Sequence, residues 1–140
     1  MDTSIFNYGE LPEFKNFTPE NIMNQFPVVL EKITEDFKNI EKNLSNYLIQ
    51  NDLNWDNVIN PLNEVNEILR WSWGVISHLN AVNNSESLRD IYSKFLPEVI
   101  TLSNKFGQSK IIYNSLVMFS VVNFLNSGNS PYLKIEVSIY

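Results

Sequence analysis

The chain contains no cysteine and one histidine, His78, in 140 residues. Disulfides are therefore excluded. An ordinary zinc site, built mainly from cysteine and histidine, cannot be assembled from this inventory alone. Lack of cysteine suits a reducing compartment, and a cytoplasmic location is expected. Basic residues are scarce as well: 10 Lys and Arg against 16 Asp and Glu give a net charge of −6. They are spread thinly from Lys15 to Lys134, so no concentrated positive surface is available for a phosphate backbone, and nucleic acid is not an expected partner. The glycines, at positions 9, 74, 107 and 128, are too scattered to form a phosphate-cradling loop. Long apolar runs are missing too. The most apolar window, 111–125, is interrupted by Asn114, Ser115, Ser120 and Asn123. It falls short of the roughly 20 residues that a membrane-spanning helix needs, so no membrane is expected as a partner. The opening stretch, MDTSIFNYGELPEF, lacks the basic-then-apolar order of a secretory signal.

What is present is a globular composition, with 44% apolar and 19% charged residues in a length that suits one domain with a real core. The patterning is helical. Residues 1–17 read as an extended arm whose aromatics, Phe6, Tyr8, Phe14 and Phe17, are expected to lay rings onto a helical body. Thr18-Pro19-Glu20 is a helix start: a hydroxyl to cap a free amide, a proline in the first turn, and a carboxylate at the positive end. Pro27 is expected to break or restart that helix, because it has no amide hydrogen and clashes with the preceding turn. Beyond it, Leu30, Ile33, Phe37, Ile40, Leu44 and Tyr47 step by three and four along one apolar stripe of about six turns.

A further helix follows Trp55, offset by Pro61, with Leu62, Val65, Leu69, Trp73 and Ile76 on one face. From Ile68 its back also turns apolar through Trp71, Val75, Leu79 and Val82, which predicts burial on all sides. Trp71 and Trp73 face opposite ways and read as core anchors. Asn83-Asn84-Ser85 is a turn and cap. Leu88, Ile91, Tyr92, Phe95, Val99, Leu102 and Phe106 form the inner side of the next helix, kinked at Pro97 and stopped at Gly107. A last helix from about Ser109 points Ile112, Tyr113 and Leu116 inward. From Val117 onward the only charges are Lys134 and Glu136; a turn at Ser127-Gly128-Asn129 precedes a short alternating run over 133–139. The predicted fold is all-α: a bundle of about five helices with an extended N-terminal arm and an irregular C-terminal tail. The divisions fall at 1–17, 18–116 and 117–140.

Candidate chemistry is thin. The zinc peptidase motif H-E-x-x-H places two imidazoles one turn apart beside a glutamate base, but His78 is followed by Leu79-Asn80-Ala81-Val82. His78 is expected to be a buried, neutral, hydrogen-bonded helix residue. Glu35-Asp36, Glu64 with Glu67, and Glu86 with Asp90 lie on polar helix faces. Glu67 with Arg70, or Glu86 with Arg89, reads as an ordinary surface pair. Ser77, adjacent to His78, would point elsewhere on a helix and cannot be its nucleophilic partner. No catalytic, cofactor-binding or metal-binding residue is assigned.

Read in order, a series of short segments carries a resemblance. It begins with Glu10-Leu11-Pro12, Phe14 and Thr18-Pro19-Glu20. It continues with Trp55, then Asn60-Pro61-Leu62. The most telling run is Ser77-His78-Leu79-Asn80-Ala81-Val82, followed by Asn84-Ser85 and Leu88-Arg89. Leu96-Pro97 and Phe106-Gly107-Gln108 complete it. Residues 10–116 resemble the amino-terminal domain of the thimet oligopeptidase, neurolysin and oligopeptidase A family of zinc metallopeptidases, and the oligopeptidase A branch most of all. The resemblance implies a helical domain forming part of the wall of a deep channel in which short peptides are cleaved. It also implies that the zinc ligands and catalytic groups lie in a later region with no counterpart here. No cofactor is then expected in this chain, zinc belonging to the whole enzyme. Trp55, Pro61, Leu62, Ser77, His78, Leu79, Asn80, Asn84, Ser85, Leu88 and Arg89 are the matching positions, expected to be structural. From Val117 the likeness is expected to fade. Three functional expectations follow: an inactive peptidase domain, a helical interaction module that pairs with a separate catalytic half or with itself, or a remnant.

Overall fold

A computed structural model describes residues 4–126. They form four helices: α1 (Pro19–Gln50), α2 (Asn60–Asn83), α3 (Glu86–Gln108) and α4 (Lys110–Asn126). A single 3₁₀ turn, Phe14–Asn16, precedes α1, and one wide turn of π-helix, Trp55–Ile59, leads into α2. No strand occurs among the described residues. The turn and alternating run expected over 127–139 lie outside them.

The helix starts follow the capping chemistry read from sequence. Thr18 Oγ1 accepts from the Asn21 amide at 3.2 Å, with Pro19 in the first turn. Asn51 closes α1 in the left-handed conformation, φ 55°, a geometry that asparagine tolerates better than most residues. Asn54 and Asn57 then cap one another, each side chain accepting from the other's amide at 3.0 and 2.8 Å.

One helix replaces the two expected around Pro27, so the bundle has four members where about five were predicted. Pro27 lies inside α1 on its exposed side. On the opposite side Ile22, Phe26, Leu30 and Ile33 form one unbroken buried stripe, continued by Phe37, Ile40 and Leu44. Burying a large apolar side chain is worth about 1.5–3 kcal/mol. Several in register outweigh the penalty of about 3 kcal/mol for an interior proline. Pro97 is accommodated in the same way on the exposed side of α3, where the Thr101 hydroxyl donates to the Pro97 carbonyl at 2.8 Å.

Helix α1 is the hub, packing against α2, α3 and α4, while α2 also packs on α3 and the π turn touches both α2 and α4. An aromatic spine crosses the core. Phe6 from the arm meets Phe17 edge-on at 5.2 Å and Phe26 at 5.5 Å. Phe26 meets Phe95 edge-on at 5.1 Å and stacks on Trp73 at 5.9 Å, and Trp73 stacks on Tyr92 at 5.0 Å. These are the offset and edge-to-face arrangements that aromatic quadrupoles favour. The arm is pinned by the Ile5 amide, which donates to Gln25 Oε1 at 2.8 Å.

Ser72 and Ser115 are buried where the helices approach, and each hydroxyl donates to the carbonyl four residues earlier, Ile68 and Ile111, at 2.7 Å. Two expectations for inward residues fail. The back of α2 is buried at Val75 but only half-buried at Ile68, Trp71 and Leu79, and Val82 is exposed. Tyr113 points outward and is 67% exposed, since the buried stripe of α4 runs through Ile112, Ser115 and Phe119. Residues 117–126 are helical, so this part of the expected irregular tail is the second half of α4.

Candidate functional site

The family-signature residues fall in two groups at opposite ends of α2. Trp55 opens the π turn, 56% exposed, with its ring 6.1 Å from Phe119. Pro61 lies in the first turn of α2, and Leu62 beside it is half-buried against the core. At 1.5 Å per residue, the second group begins roughly 25 Å further along the helix. The two groups do not meet in one site.

The second group builds the connection between α2 and α3. Asn84 ends α2 with φ 38°, in the left-handed region. Its main-chain oxygen and Oδ1 accept from the Arg89 guanidinium at 2.8 and 2.9 Å. Ser85 Oγ accepts from the Leu88 amide at 3.2 Å and caps α3, while Leu88 is buried in the core. Arg89 therefore folds back on Asn84, not onto Glu86 as the helix spacing suggested. Among the carboxylate pairs considered, Glu67 does meet Arg70, at 3.4 Å on the surface. Asp36 accepts from Lys32 at 2.8 Å, and that hydrogen bond, followed by the charge of Asp36, holds the Lys32 ammonium above its usual lysine value.

His78 is exposed, contrary to the expectation of burial. Its position on α2 faces the arm, where its ring lies 5.6 Å from Phe14. Ser77 and Leu79 are half-buried on either side. Asn80, one turn from Ile76, carries a side-chain oxygen that is shielded from solvent and has no hydrogen-bond partner. No three His, Cys, Asp or Glu residues come close enough to hold a metal ion among the described residues. A solitary exposed imidazole with no carboxylate or thiolate beside it does not fit a zinc centre, so no chemical step is derived through one.

The described residues also form several concavities. A cavity of about 560 Å³ lies between the arm and the helices, walled by Glu10, Glu13, Asn16, Asn21, Gln25 and Trp71 among others. A groove of about 420 Å³ runs between α2, α3 and α4 over Ile59, Leu62, Phe106, Ile112 and Leu116, with the amides Asn63 and Asn66 at its edge. Neither brings together a nucleophile and a base. A further polar link escaped sequence reasoning. The Ser109 hydroxyl donates to Glu41 Oε2 at 2.7 Å across 68 positions of sequence, and Ser109 Oγ accepts in turn from the Ile112 amide. The capping role of Ser109 is signalled by its place after Gly107-Gln108; its distant partner has no local signal.

A four-helix array joined through a capped α2–α3 connection is the class of structure seen among the described residues: an all-α domain. The chain belongs to the neurolysin/thimet oligopeptidase N-terminal domain family, whose model matches residues 26–129. It is 37% identical to oligopeptidase A of Haemophilus influenzae over 115 residues, 82% of this chain and 16% of that protein. It is 31% identical to oligopeptidase A of Escherichia coli K12 over the same shares. A probable cytosolic oligopeptidase A of Arabidopsis thaliana is 26% identical over 106 residues, 76% of this chain and 14% of that protein. The chain thus spans about one sixth of the length of these curated relatives. The family match continues to residue 129, past the position near Val117 where the likeness was expected to fade. No solved structure matches the chain.

Proposed function

We propose that this chain serves as the N-terminal, channel-wall domain of an oligopeptidase A-type zinc metalloendopeptidase acting on short peptides, and that it contributes shape and no reactive group. The observation that carries this reading is the family match over 26–129 together with relatives about six times longer. The donor chemistry agrees with it: one histidine and no cysteine in the whole chain. On this reading the signature residues are structural. Asn84, Ser85 and Arg89 fix the angle at which α3 leaves α2, and Trp55, Pro61 and Leu62 fix how α2 begins. A cytoplasmic location belongs to the same proposal and is supported by the lack of cysteine. No helix of the described residues is long and apolar enough to cross a membrane.

The test is direct. The purified 140-residue chain, incubated with zinc and a quenched fluorescent peptide of about ten residues, is expected to give no cleavage that a chelator abolishes. Chelator-sensitive turnover that follows the protein through purification, and is lost when His78 is replaced by Ala, would refute the scaffold reading. A second reading, a helical module that binds a partner in its own right, is favoured by one feature: the apolar outward side of α4.

A further inference from the structure

We infer that the outward face of α4 seats the part of an oligopeptidase A-type chain that follows this domain. The inference rests on the domain reading proposed above and adds which surface is covered and by what.

The first argument is charge. The outward sides of α1, α2 and α3 carry Glu31 and Lys32, Glu67 and Arg70, and Asp90 and Lys94. On α4 no charged residue follows Lys110, and the next in sequence is Lys134. Among the described residues, every charged side chain other than Lys110 thus lies outside α4. The second argument is pattern. Ile112, Ser115 and Phe119 are the buried side of α4. Opposite them Tyr113, Val117 and Val121 recur every four residues and so stand one above another. Tyr113 is 67% exposed and Leu125 48%. A helix apolar on both sides is a helix covered on both sides. Tyr is one of the residue types that anchor interfaces.

The third argument names the occupant. The family match runs to residue 129, past the end of α4 at Asn126. The matched domain is N-terminal in its family, and the chain spans only 16% of a relative. In such a relative the remaining polypeptide leaves from the C-terminal end of this helix. Consecutive elements are usually neighbours in space, so what leaves from α4 is the first candidate to pack on it.

The experiment uses the full 140-residue chain and, as probe, Haemophilus influenzae oligopeptidase A with its matching N-terminal segment removed. Amide hydrogen exchange is followed with and without the probe, and affinity is measured by titration. Slowed exchange over 111–126 is expected. Tyr113→Glu and Leu125→Glu are expected to weaken binding at least tenfold while keeping wild-type helical content, and Ile100→Glu, on an exposed part of α3, to bind as wild type. Exchange mapping on the unsubstituted chain gives the answer even where a variant misfolds. Tight binding that leaves 111–126 unprotected and ignores both α4 variants overturns this inference alone. A probe that does not bind the unsubstituted chain overturns the domain reading as well. Protection of 111–126 that rises with the concentration of the chain in the absence of the probe, marking a second copy on this face, also overturns the inference.

Discussion

Three side chains at the α2–α3 connection show what a short motif means physically. Ser85 offers its hydroxyl to a free amide, Asn84 accepts a positive φ, and Arg89 returns to bind Asn84. Ser85→Ala is expected to destabilise the fold by about 1 kcal/mol, with Ser85→Asp close to wild type, read from urea denaturation midpoints. Five residues upstream the opposite situation holds. The Asn80 side-chain oxygen is shielded and unpaired, and such a group destabilises by about 1–3 kcal/mol. Asn80→Leu, of similar shape, is therefore expected to leave stability unchanged or to raise it by up to about 1 kcal/mol. A loss of several kcal/mol on that substitution would show that the amide has a partner of its own. The cap at Ser85 is legible in sequence, because it is a local bargain between neighbours. The isolation of Asn80 and the exposure of His78 are not, because both depend on which side of α2 the arm and α3 happen to cover.

At the level of elements, the helix stripes and most helix ends were readable, and the effect of Pro27 was not. Every α1 position from Leu30 to Leu44 predicted to face inward is buried, because a period of 3.6 is a property of the string. Pro27 was misread, because a proline's effect depends on what the rest of its helix buries. Here the proline is exposed while Ile22, Phe26, Leu30 and Ile33 are buried. The proline is then a tolerated local penalty, and Pro27→Ala is expected to stabilise the protein by about 1–2 kcal/mol, the helical gain less the added freedom of the unfolded chain. A lowered thermal midpoint for that variant would place a needed contact at the proline ring. The apolar second half of α4 misled in another way. Without charges it resembled neither an amphipathic helix nor a tail of known kind, although its inward positions, Ile112 and Phe119, already follow the helical period.

For the molecule as a whole, the aromatic spine decides how the parts act together. Phe26 lies between arm, α2 and α3, touching Phe6, Trp73 and Phe95. Phe26→Ala is expected to destabilise by about 3–5 kcal/mol. It should also loosen the arm, which near-ultraviolet circular dichroism reports through the tryptophan signal. The all-α class and the family were both visible in sequence, the first through periodicity and the second through ordered short segments. No composite site was visible, and in the fold the signature positions fall in two groups at opposite ends of α2 that do not meet.

The bond from Ser109 to Glu41 has a consequence for the order of events during synthesis. The hub helix leaves the ribosome first, yet its last partner, α4, is not finished until residue 126. At translation speeds of roughly 5–20 residues per second, the α1 stripe stays partly uncovered for several seconds while its partners are still being made. The nascent chain must remain soluble through that interval with the apolar stripe of its first helix waiting for the helix that arrives last.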